Sequence, residues 1–514
     1  MVRMLATLFC ACILALATGV GCSRPALEQG DDIAGGPGAT EPGTDPVPGD
    51  GGGDAPGCGD YDWGTAQTLE TDDRVATVLA SMSLSEKVDQ MAGPDLGELF
   101  ETPDNDALGI RGFRFRDGPR GVRMESPEDT TTCFPVPVSR AATWNVDLER
   151  RIGEAMGREV RGLGHNVLLA PCVNTLRHPG WGRGQETYGE DPWLLGTMGT
   201  AFTLGAQTEV GACMKHFAGN NIEDTRMTNN AVIEERNLRE NYLRQFRMVL
   251  RDADPVCVMS AYNLVNGHYC SENNHLLRNI LKGEWGYDGF VVSDWFAAQS
   301  TVESANGGLD VEMPWRNHYA KLEQAVVSGQ VPMEVIDEAV NRILRAKYKL
   351  GFAEMSEPYD GDPSVVESQE HIELAREAGR AGMVLLKNDE AVLPLDRGAI
   401  TRVAVVGPYA NVARLGDNGS SAVIPSYAVT PFGGLESLAG AGVEVVTSAD
   451  ASAARANSNT PNPCDHALDH SSRLKAIGPT ALTSPCSQMT GTRLPLPITH
   501  TRVMRQDSAV TLNV

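Results

Sequence analysis

Apolar residues alternate between two patterns along the middle of the chain. At residues 147–163 they recur three and four positions apart, which predicts one face of a helix. The next apolar run, VLLAP at 167–171, has the length and continuity of a buried strand. A helix around 238–249, a strand at 255–262 and a helix at 333–350 repeat the alternation. Helices alternating with apolar strands over about 280 residues predict an α/β fold with a TIM-like (β/α)8 barrel.

Polar residues follow four of the predicted strands at their C-terminal ends. They are Asp117 after FRFR, Lys215 and His216 after ACM, Tyr262 at the end of VMSAY, and Asp294 after VVS. The C-terminal ends of barrel strands meet at one rim, where active sites are built, so these side chains are expected to share a site. One such residue would be ordinary, but four strand ends in succession favour a functional explanation.

The pattern changes after about residue 352. A linker is followed by a predicted helix at 369–386 and by apolar runs at 401–407 and 442–446, which predict the start of a second α/β domain. The first of these runs lacks the glycine spacing of nucleotide-binding loops. Residues 451–514 show no helix or strand period, so they are either a disordered tail or the point at which the second domain stops.

The N-terminus has the features of a bacterial export signal. Arg3 precedes an apolar run at 4–20, and small residues lead to Cys22. We expect Cys22 to be lipidated, since a cysteine after a small residue resembles a lipoprotein cleavage site. The alternative, a transmembrane helix, is disfavoured because the run is near the lower length limit. The Gly- and Pro-rich residues 23–60 predict a flexible tether, so the protein is expected to be exported, as a membrane-anchored lipoprotein or in secreted form.

Composition narrows the classes of partner. The 514 residues carry a formal net charge of −24, which disfavours nucleic acid because its phosphates would be repelled. Export permits disulfides among the 11 cysteines. Cys257 and Cys270 flank one strand-turn segment and could pair, although spacing alone does not establish this. No CxxC or HExxH motif occurs, so neither a metal nor another cofactor is expected.

Between about residues 73 and 447 the chain resembles glycoside hydrolase family 3, in particular its bacterial β-glucosidases. The matching segments are RFRDGPRGVR (114–123), TCFPVPVSRAATWN (132–145), WGRGQETYGEDP (181–192), KHFAGNN (215–221), MSAYNLVNG (259–267), GFVVSDW (289–295), VLLKNDEAVLPL (384–395) and GDNGSSAVIPSYAVTPFGGL (416–435). The resemblance implies an exo-acting β-glucosidase that removes terminal non-reducing β-D-glucosyl residues by retaining double displacement. Its substrate would be a β-linked oligosaccharide or glycoside; xylosidase and exo-glucanase activities are also compatible with these motifs.

The resemblance also implies roles for individual residues. The family's SDW motif implies that Asp294 is the nucleophile, which suits the ionised carboxylate that a retaining glycosidase needs. Trp295 would form an apolar wall against the sugar, or else pack in the core. Glu186 and Glu190 are expected to form loop-stabilising ion pairs. The residues implied to hold the terminal sugar are Asp117, Arg123, Arg183, Lys215, His216 and Tyr262.

The acid/base residue is not supplied by the resemblance. In the β-glucosidase type it is a Glu of the second domain, but the only Glu residues after position 400 are Glu436 and Glu444, and neither has the family's motif context. We therefore expect it to be missing, and a catalytically impaired sugar-binding remnant is the alternative to a complete enzyme. The loop after KHF contains no His, which argues against the family's His–Asp subgroup. A barrel enzyme of unrelated chemistry is a third possibility.

These patterns divide the chain into six parts. They are a signal at 1–22, a tether at 23–60, a TIM-like catalytic barrel at 61–352, a linker at 353–368, a partial α/β sandwich at 369–450 and an irregular tail at 451–514. With about two strands, the second domain is expected to expose sheet edges and to be marginally stable.

Overall fold

The computed structural model describes residues 65–126, 128–353, 361–389, 391–416 and 419–447, and the backbone of 502–506 and 509–513. The predicted signal, its Cys22 and the tether lie outside these residues. Within the described part of the chain, no helix is long and apolar enough to cross a bilayer.

The strands are β1 Phe115–Asp117, β2 Val167–Leu169, β3 Gly211–Phe217, β4 Asn230–Ala231, β5 Cys257–Ser260, β6 Leu264–Val265, β7 His268–Tyr269, β8 Phe290–Ser293, β9 Arg402–Val406, β10 Glu444–Thr447, β11 Arg502–Gln506 and β12 Ala509–Asn513. The α-helices are α1 Thr65–Ser81, α2 Leu84–Gln90, α3 Pro137–Ala141, α4 Val146–Gly162, α5 Pro192–Ala206, α6 Glu235–Asn237, α7 Arg244–Ala253, α8 Val302–Gly307, α9 Leu322–Val327, α10 Met333–Lys349, α11 Gln369–Ala381 and α12 Pro431–Ala439. Two π-helical segments span Leu238–Tyr242 and His275–Glu284.

Five parallel strands form the centre of the fold, in the order β1-β2-β3-β5-β8. One parallel bridge joins Val292 of β8 to Val311, and another joins Glu312 to Ala92, so the ring of parallel segments continues beyond β8. Residues of β2, β3, β5 and β8 are buried throughout, as their continuous apolar runs require. The predicted TIM-like barrel is confirmed, although its remaining parallel segments are joined by single bridges rather than by regular ladders.

Helix α4 shows how the sequence determines a helix that packs on the outside of the barrel. Asn145 begins the helix, because its side chain accepts a hydrogen bond from Leu148 N at 3.0 Å. The apolar face predicted from the spacing is buried. Helix α5 lies so close that a Cβ on Gly153 would stand 2.2 Å from Phe202 O. Glycine is therefore required where the two helices meet.

Helix α11 ends earlier than the predicted 369–386. It stops at Ala381, and residues 383–388 continue without helical structure. A Cβ on Gly382 would lie 2.6 Å from Ser139 O, so the close contact with α3 demands glycine at the residue where the helix stops.

The second sheet has four strands, in the order β10-β9-β12-β11. Strands β10 and β12 flank β9 in parallel, and β11 pairs with β12 antiparallel. The expectation of two strands and of an irregular tail is wrong for residues 502–506 and 509–513, which form a hairpin. The sequence carries little signal for it, since RVMRQ does not alternate apolar and polar residues and AVTLN does so only over residues 510–513. The domain boundaries themselves stay predictions.

A disulfide joins two neighbouring barrel strands. Cys213 of β3 and Cys257 of β5 are register partners with Cα atoms 4.3 Å apart, and they are bonded. The considered pairing of Cys257 with Cys270 is wrong, because Cys270 is a buried free cysteine. Adjacent parallel strands bring together residues that are distant in sequence, and spacing along the chain does not reveal this.

Candidate active site

The predicted strand-end side chains meet at the C-terminal rim of the barrel. Lys215 Nζ, at the end of β3, donates a hydrogen bond to Asp117 Oδ1, at the end of β1, over 2.9 Å. His216 Nε2 lies 3.5 Å from Asp294 Oδ2, just after β8. The Tyr262 hydroxyl, beyond β5, also interacts with the Asp294 carboxylate. The rim therefore brings the side chains of all four strand ends into one cluster.

Asp294 is buried, with 7% of its surface exposed. Its Oδ1 accepts a hydrogen bond from Trp295 N at 2.8 Å, whereas Oδ2 accepts none of normal geometry from the described residues. Burial raises the pKa of Asp294, and the nearby charges of Arg183 and Lys215 partly offset this effect. One carboxylate oxygen is thus available for chemistry while two cations support its ionised form.

His216 is held by its backbone and stays neutral. Asn174 Oδ1 accepts a hydrogen bond from His216 N at 2.7 Å, and Asn174 Nδ2 donates to His216 O at 2.8 Å. Burial lowers the pKa of His216 well below its ordinary value, and Arg183, Lys215 and Arg226 lower it further. A neutral imidazole beside Asp294 can exchange hydrogen bonds with a hydroxyl group. Asn174 was missed from the sequence because it lies in a loop after β2.

Arg183 connects the barrel rim to the second domain. Its guanidinium forms a buried ion pair with Glu186 Oε2 at 2.7 Å and donates to Ser420 Oγ at 2.8 Å. Burial opposes ionisation of Glu186, but the charge of Arg183 keeps the pKa of Glu186 below its ordinary value. The expected ion pair of Glu186 is confirmed, whereas Glu190 is exposed on the surface.

A short turn of the second domain, Gly419–Ser421, contacts the rim of the barrel. Besides the contact of Ser420 with Arg183, Ser421 Oγ accepts a hydrogen bond from Gln185 Nε2 at 2.8 Å. The sequence offered this GSS motif only as part of a resemblance, with no role for either serine. The structure therefore adds both serines to the candidate site.

Trp295 and Arg123 occupy the edges of the cluster. The Trp295 indole donates to Leu99 O at 2.8 Å, and its ring lies 5.2 Å from that of Phe100. It is only partly buried, so it both packs and keeps an accessible surface. Arg123 Nη1 lies 3.7 Å from Asp117 Oδ2, which places the arginine on the Asp117 side of the site.

Arg226 is a further site residue that the sequence did not indicate. Its guanidinium lies 4.5 Å from the centroid of the Tyr262 ring, a cation–π contact. It also forms an ion pair with Glu223 at 2.5 Å. Arg226 lies in the loop after KHF rather than at a strand end, so no periodic pattern marks it.

Neither Glu considered as acid/base interacts with these side chains. Glu444 pairs with Arg402 at 2.6 Å, and both side chains are more than half exposed. Glu436 is exposed on α12. The part of the chain that the structure describes also has no group of three or more His, Cys, Asp or Glu arranged to hold a metal ion.

Sequence comparison identifies the family. Residues 98–346 match the profile of the glycosyl hydrolase family 3 N terminal domain, and residues 383–477 match that of the family's C-terminal domain. Together the two matches cover more than half of the chain. The chain belongs to glycoside hydrolase family 3.

Relatives within this family are named β-glucosidases. Beta-glucosidase B of Emericella nidulans is 40% identical over 72% of this chain and 44% of its own length. Thermostable beta-glucosidase B of Acetivibrio thermocellus is 37% identical over 68% of this chain and 47% of its own. This family 3 chain therefore spans about half the length of the curated relatives it matches.

Solved structures of the family share the fold. Beta-glucosidase 3B from Thermotoga neapolitana in complex with glucose has a TM-score of 0.67 and 38% identity, over 72% of this chain and 55% of that one. Beta-glucosidase D2-BGL from Chaetomella raphigera has a TM-score of 0.68 and 33% identity, over 77% and 60%. These family members support the barrel followed by a second α/β domain.

Proposed function

We propose that this family 3 protein is an exo-acting β-glucosidase, which hydrolyses terminal non-reducing β-D-glucosyl residues with retention of configuration. The observation that carries the proposal is the buried carboxylate of Asp294, whose Oδ2 accepts no hydrogen bond of normal geometry from the described residues, with the charges of Arg183 and Lys215 nearby. The names of the relatives give the substrate class. The same names offer no support for the alternative of a catalytically impaired remnant.

Asp294 would attack the anomeric carbon and form a covalent glucosyl intermediate, which water then hydrolyses. Charge-assisted hydrogen bonds would hold the terminal sugar. Asp117, shared by Lys215 and Arg123, offers oxygen acceptors to hydroxyl groups. Arg183, Lys215 and Arg123 offer donors. His216, Tyr262 and Trp295 complete the proposed pocket.

The acid/base stays unassigned among the described residues. A retaining glycosidase needs a second carboxyl group to protonate the leaving oxygen, and this assistance is worth ~10²–10⁴-fold. Dinitrophenyl β-glucoside needs little such help, whereas cellobiose depends on it. Turnover of both substrates is the result expected of a complete enzyme. Turnover of the activated glycoside alone, with rescue by azide, would argue that the acid/base is missing.

The nucleophile assignment has a direct test. Asp294→Ala should abolish hydrolysis of dinitrophenyl β-glucoside, and added azide should restore cleavage with α-glucosyl azide as product. A matched control is Asp288→Ala, which removes an exposed carboxylate paired with Arg345 and should retain activity. A 2-fluoroglucosyl label should map to Asp294 by mass spectrometry. Unchanged turnover in Asp294→Ala, or a label on another residue, would refute the assignment.

We also propose that the protein is exported and anchored by a lipid on Cys22. The support is the charged start, apolar run and small residues that precede this cysteine. Mass spectrometry of the mature N-terminus tests the proposal, and an unprocessed or unmodified Cys22 would contradict it.

A further inference from the structure

The side-chain amide of Asn174 is held in one orientation by the backbone of His216. Its Oδ1 accepts a hydrogen bond from His216 N at 2.7 Å, and its Nδ2 donates one to His216 O at 2.8 Å. Turning the amide over would place oxygen against oxygen and N–H against N–H, so these two bonds fix which atom is Oδ1. Asn174 is also buried, so its amide cannot turn towards solvent.

The same amide oxygen faces the imidazole ring. Asn174 Oδ1 lies 3.2 Å from His216 Nδ1, within hydrogen-bonding distance. A carbonyl oxygen can only accept, so this contact is favourable only when Nδ1 carries a proton. The imidazole is neutral, because burial and nearby cations lower the pKa of His216, and a neutral ring has a single N–H. With the proton on Nδ1, Nε2 is an acceptor.

Two neighbouring groups could favour the opposite tautomer, with the proton on Nε2, but their geometry is poorer. Nε2 lies 3.5 Å from Asp294 Oδ2, yet Oδ2 accepts no hydrogen bond of normal geometry from the described residues. The Cys172 sulfur lies 3.8 Å from Nδ1 and 3.6 Å from Asn174 Oδ1. Burial raises the pKa of this thiol to about 11, so it keeps its proton, and the amide oxygen is its nearer acceptor. A thiol is in any case a weak donor.

We propose that Asn174 is a positioning residue that keeps the proton of His216 on Nδ1, so that Nε2 accepts a hydrogen bond from a sugar hydroxyl and leaves Asp294 Oδ2 free to attack. This inference rests on the proposed function. A proton on Nε2 would instead turn a donor towards the carboxylate. A hydrogen bond to a charged acceptor is stronger than one between neutral groups, and this one would have to break as the carboxylate attacks.

Nitrogen NMR of the full chain, with its histidines labelled with nitrogen-15, reads the tautomer without any turnover. Bare and protonated ring nitrogens resonate far apart, and the signals of His216 are assigned by their loss in His216→Gln. The wild type should show a protonated Nδ1 and a bare Nε2. Cys172→Ala should leave this pattern unchanged. A proton on Nε2 in the wild type, or a change of tautomer in Cys172→Ala, would overturn the inference.

Asn174→Ala removes the acceptor, and the ring proton should move to Nε2. The value of kcat/KM for dinitrophenyl β-glucoside should then fall roughly 10- to 100-fold, as expected when a hydrogen bond to a charged group must be broken. A fall in kcat/KM with the proton still on Nδ1 would show that Asn174 only supports the backbone, which overturns the inference. If Asn174→Ala does not fold, the wild-type spectrum still decides.

The two proposals fail in different ways. A wild type that cleaves no glucoside would overturn the glucosidase proposal and, with it, the role given to Nε2. A wild type that cleaves dinitrophenyl β-glucoside with the proton of His216 on Nε2 would overturn only the role of Asn174.

Discussion

Lys347 places an ionisable group in the interior of the barrel domain. Its side chain is fully buried, with Nζ 5.0 Å from the centroid of the Phe113 ring and one hydrogen bond, 2.7 Å long, to Gln90 Oε1. Burial lowers the pKa of Lys347 from 10.5 to about 7; Asp104 opposes this effect and Arg114 adds to it.

The lowered pKa makes stability depend on pH. Because the folded pKa lies below the unfolded one, the unfolded chain binds more protons between pH 7 and 10.5, and stability rises with pH in that window. Below pH 7 the full penalty applies, about 5 kcal/mol from the difference between the two pKa values. Lys347→Met removes this penalty but leaves Gln90 Oε1 without its donor, at a cost of about 1–3 kcal/mol.

Lys347→Met should therefore be more stable than the wild type by about 2–4 kcal/mol at pH 6, and less stable by about 1 kcal/mol at pH 10. Urea unfolding at several pH values between 6 and 10 measures both numbers. Lys387→Met is the control, because the Lys387 side chain is 77% exposed and pairs with surface Asp389; its effect should stay below about 1 kcal/mol at every pH. A pH-independent difference between Lys347→Met and the wild type would refute the reasoning.

Two further changes test the rim. Arg183→Met leaves the buried carboxylate of Glu186 unpaired and should destabilise the fold by about 3–5 kcal/mol in denaturant unfolding; the double variant with Glu186→Gln should recover part of this loss, and no recovery would contradict the ion-pair argument. Tyr262→Phe removes a hydroxyl that lowers the pKa of Asp294, so the acid limb of kcat/KM for dinitrophenyl β-glucoside should move to higher pH. An unmoved limb would count against this contact.

Residues at strand ends were predictable because burial fixes the strands. A continuous apolar run must lie inside the sheet, so the first polar residue after it lies at the rim. This reasoning predicts Asp117, Lys215 and Asp294 at the rim. The family resemblance added Arg183 and Arg123, which lie in loops and have no such pattern.

Other parts of the site depend on packing between segments distant in sequence. Ser420 meets Arg183 across 237 positions, and no local signal relates the two. Asn174 and Arg226 are ordinary loop residues until the fold places them beside His216 and Tyr262. The hairpin at 502–513 carries no strand period over its full length, and its pairing with β9 requires the sheet itself.

The balance of charge at the rim bears on the kind of sugar that the site would accept. Four positive side chains of the candidate site have carboxylate partners: Lys215 and Arg123 share Asp117, Arg183 pairs with Glu186, and Arg226 pairs with Glu223. His216 adds no charge, because its pKa is lowered well below its ordinary value. An anionic sugar would have to compete with these carboxylates for the cations, whereas a neutral sugar can use donors and acceptors of both signs. For the glucosidase activity that we propose, this pairing therefore favours an uncharged pyranose over a uronate or a phosphosugar.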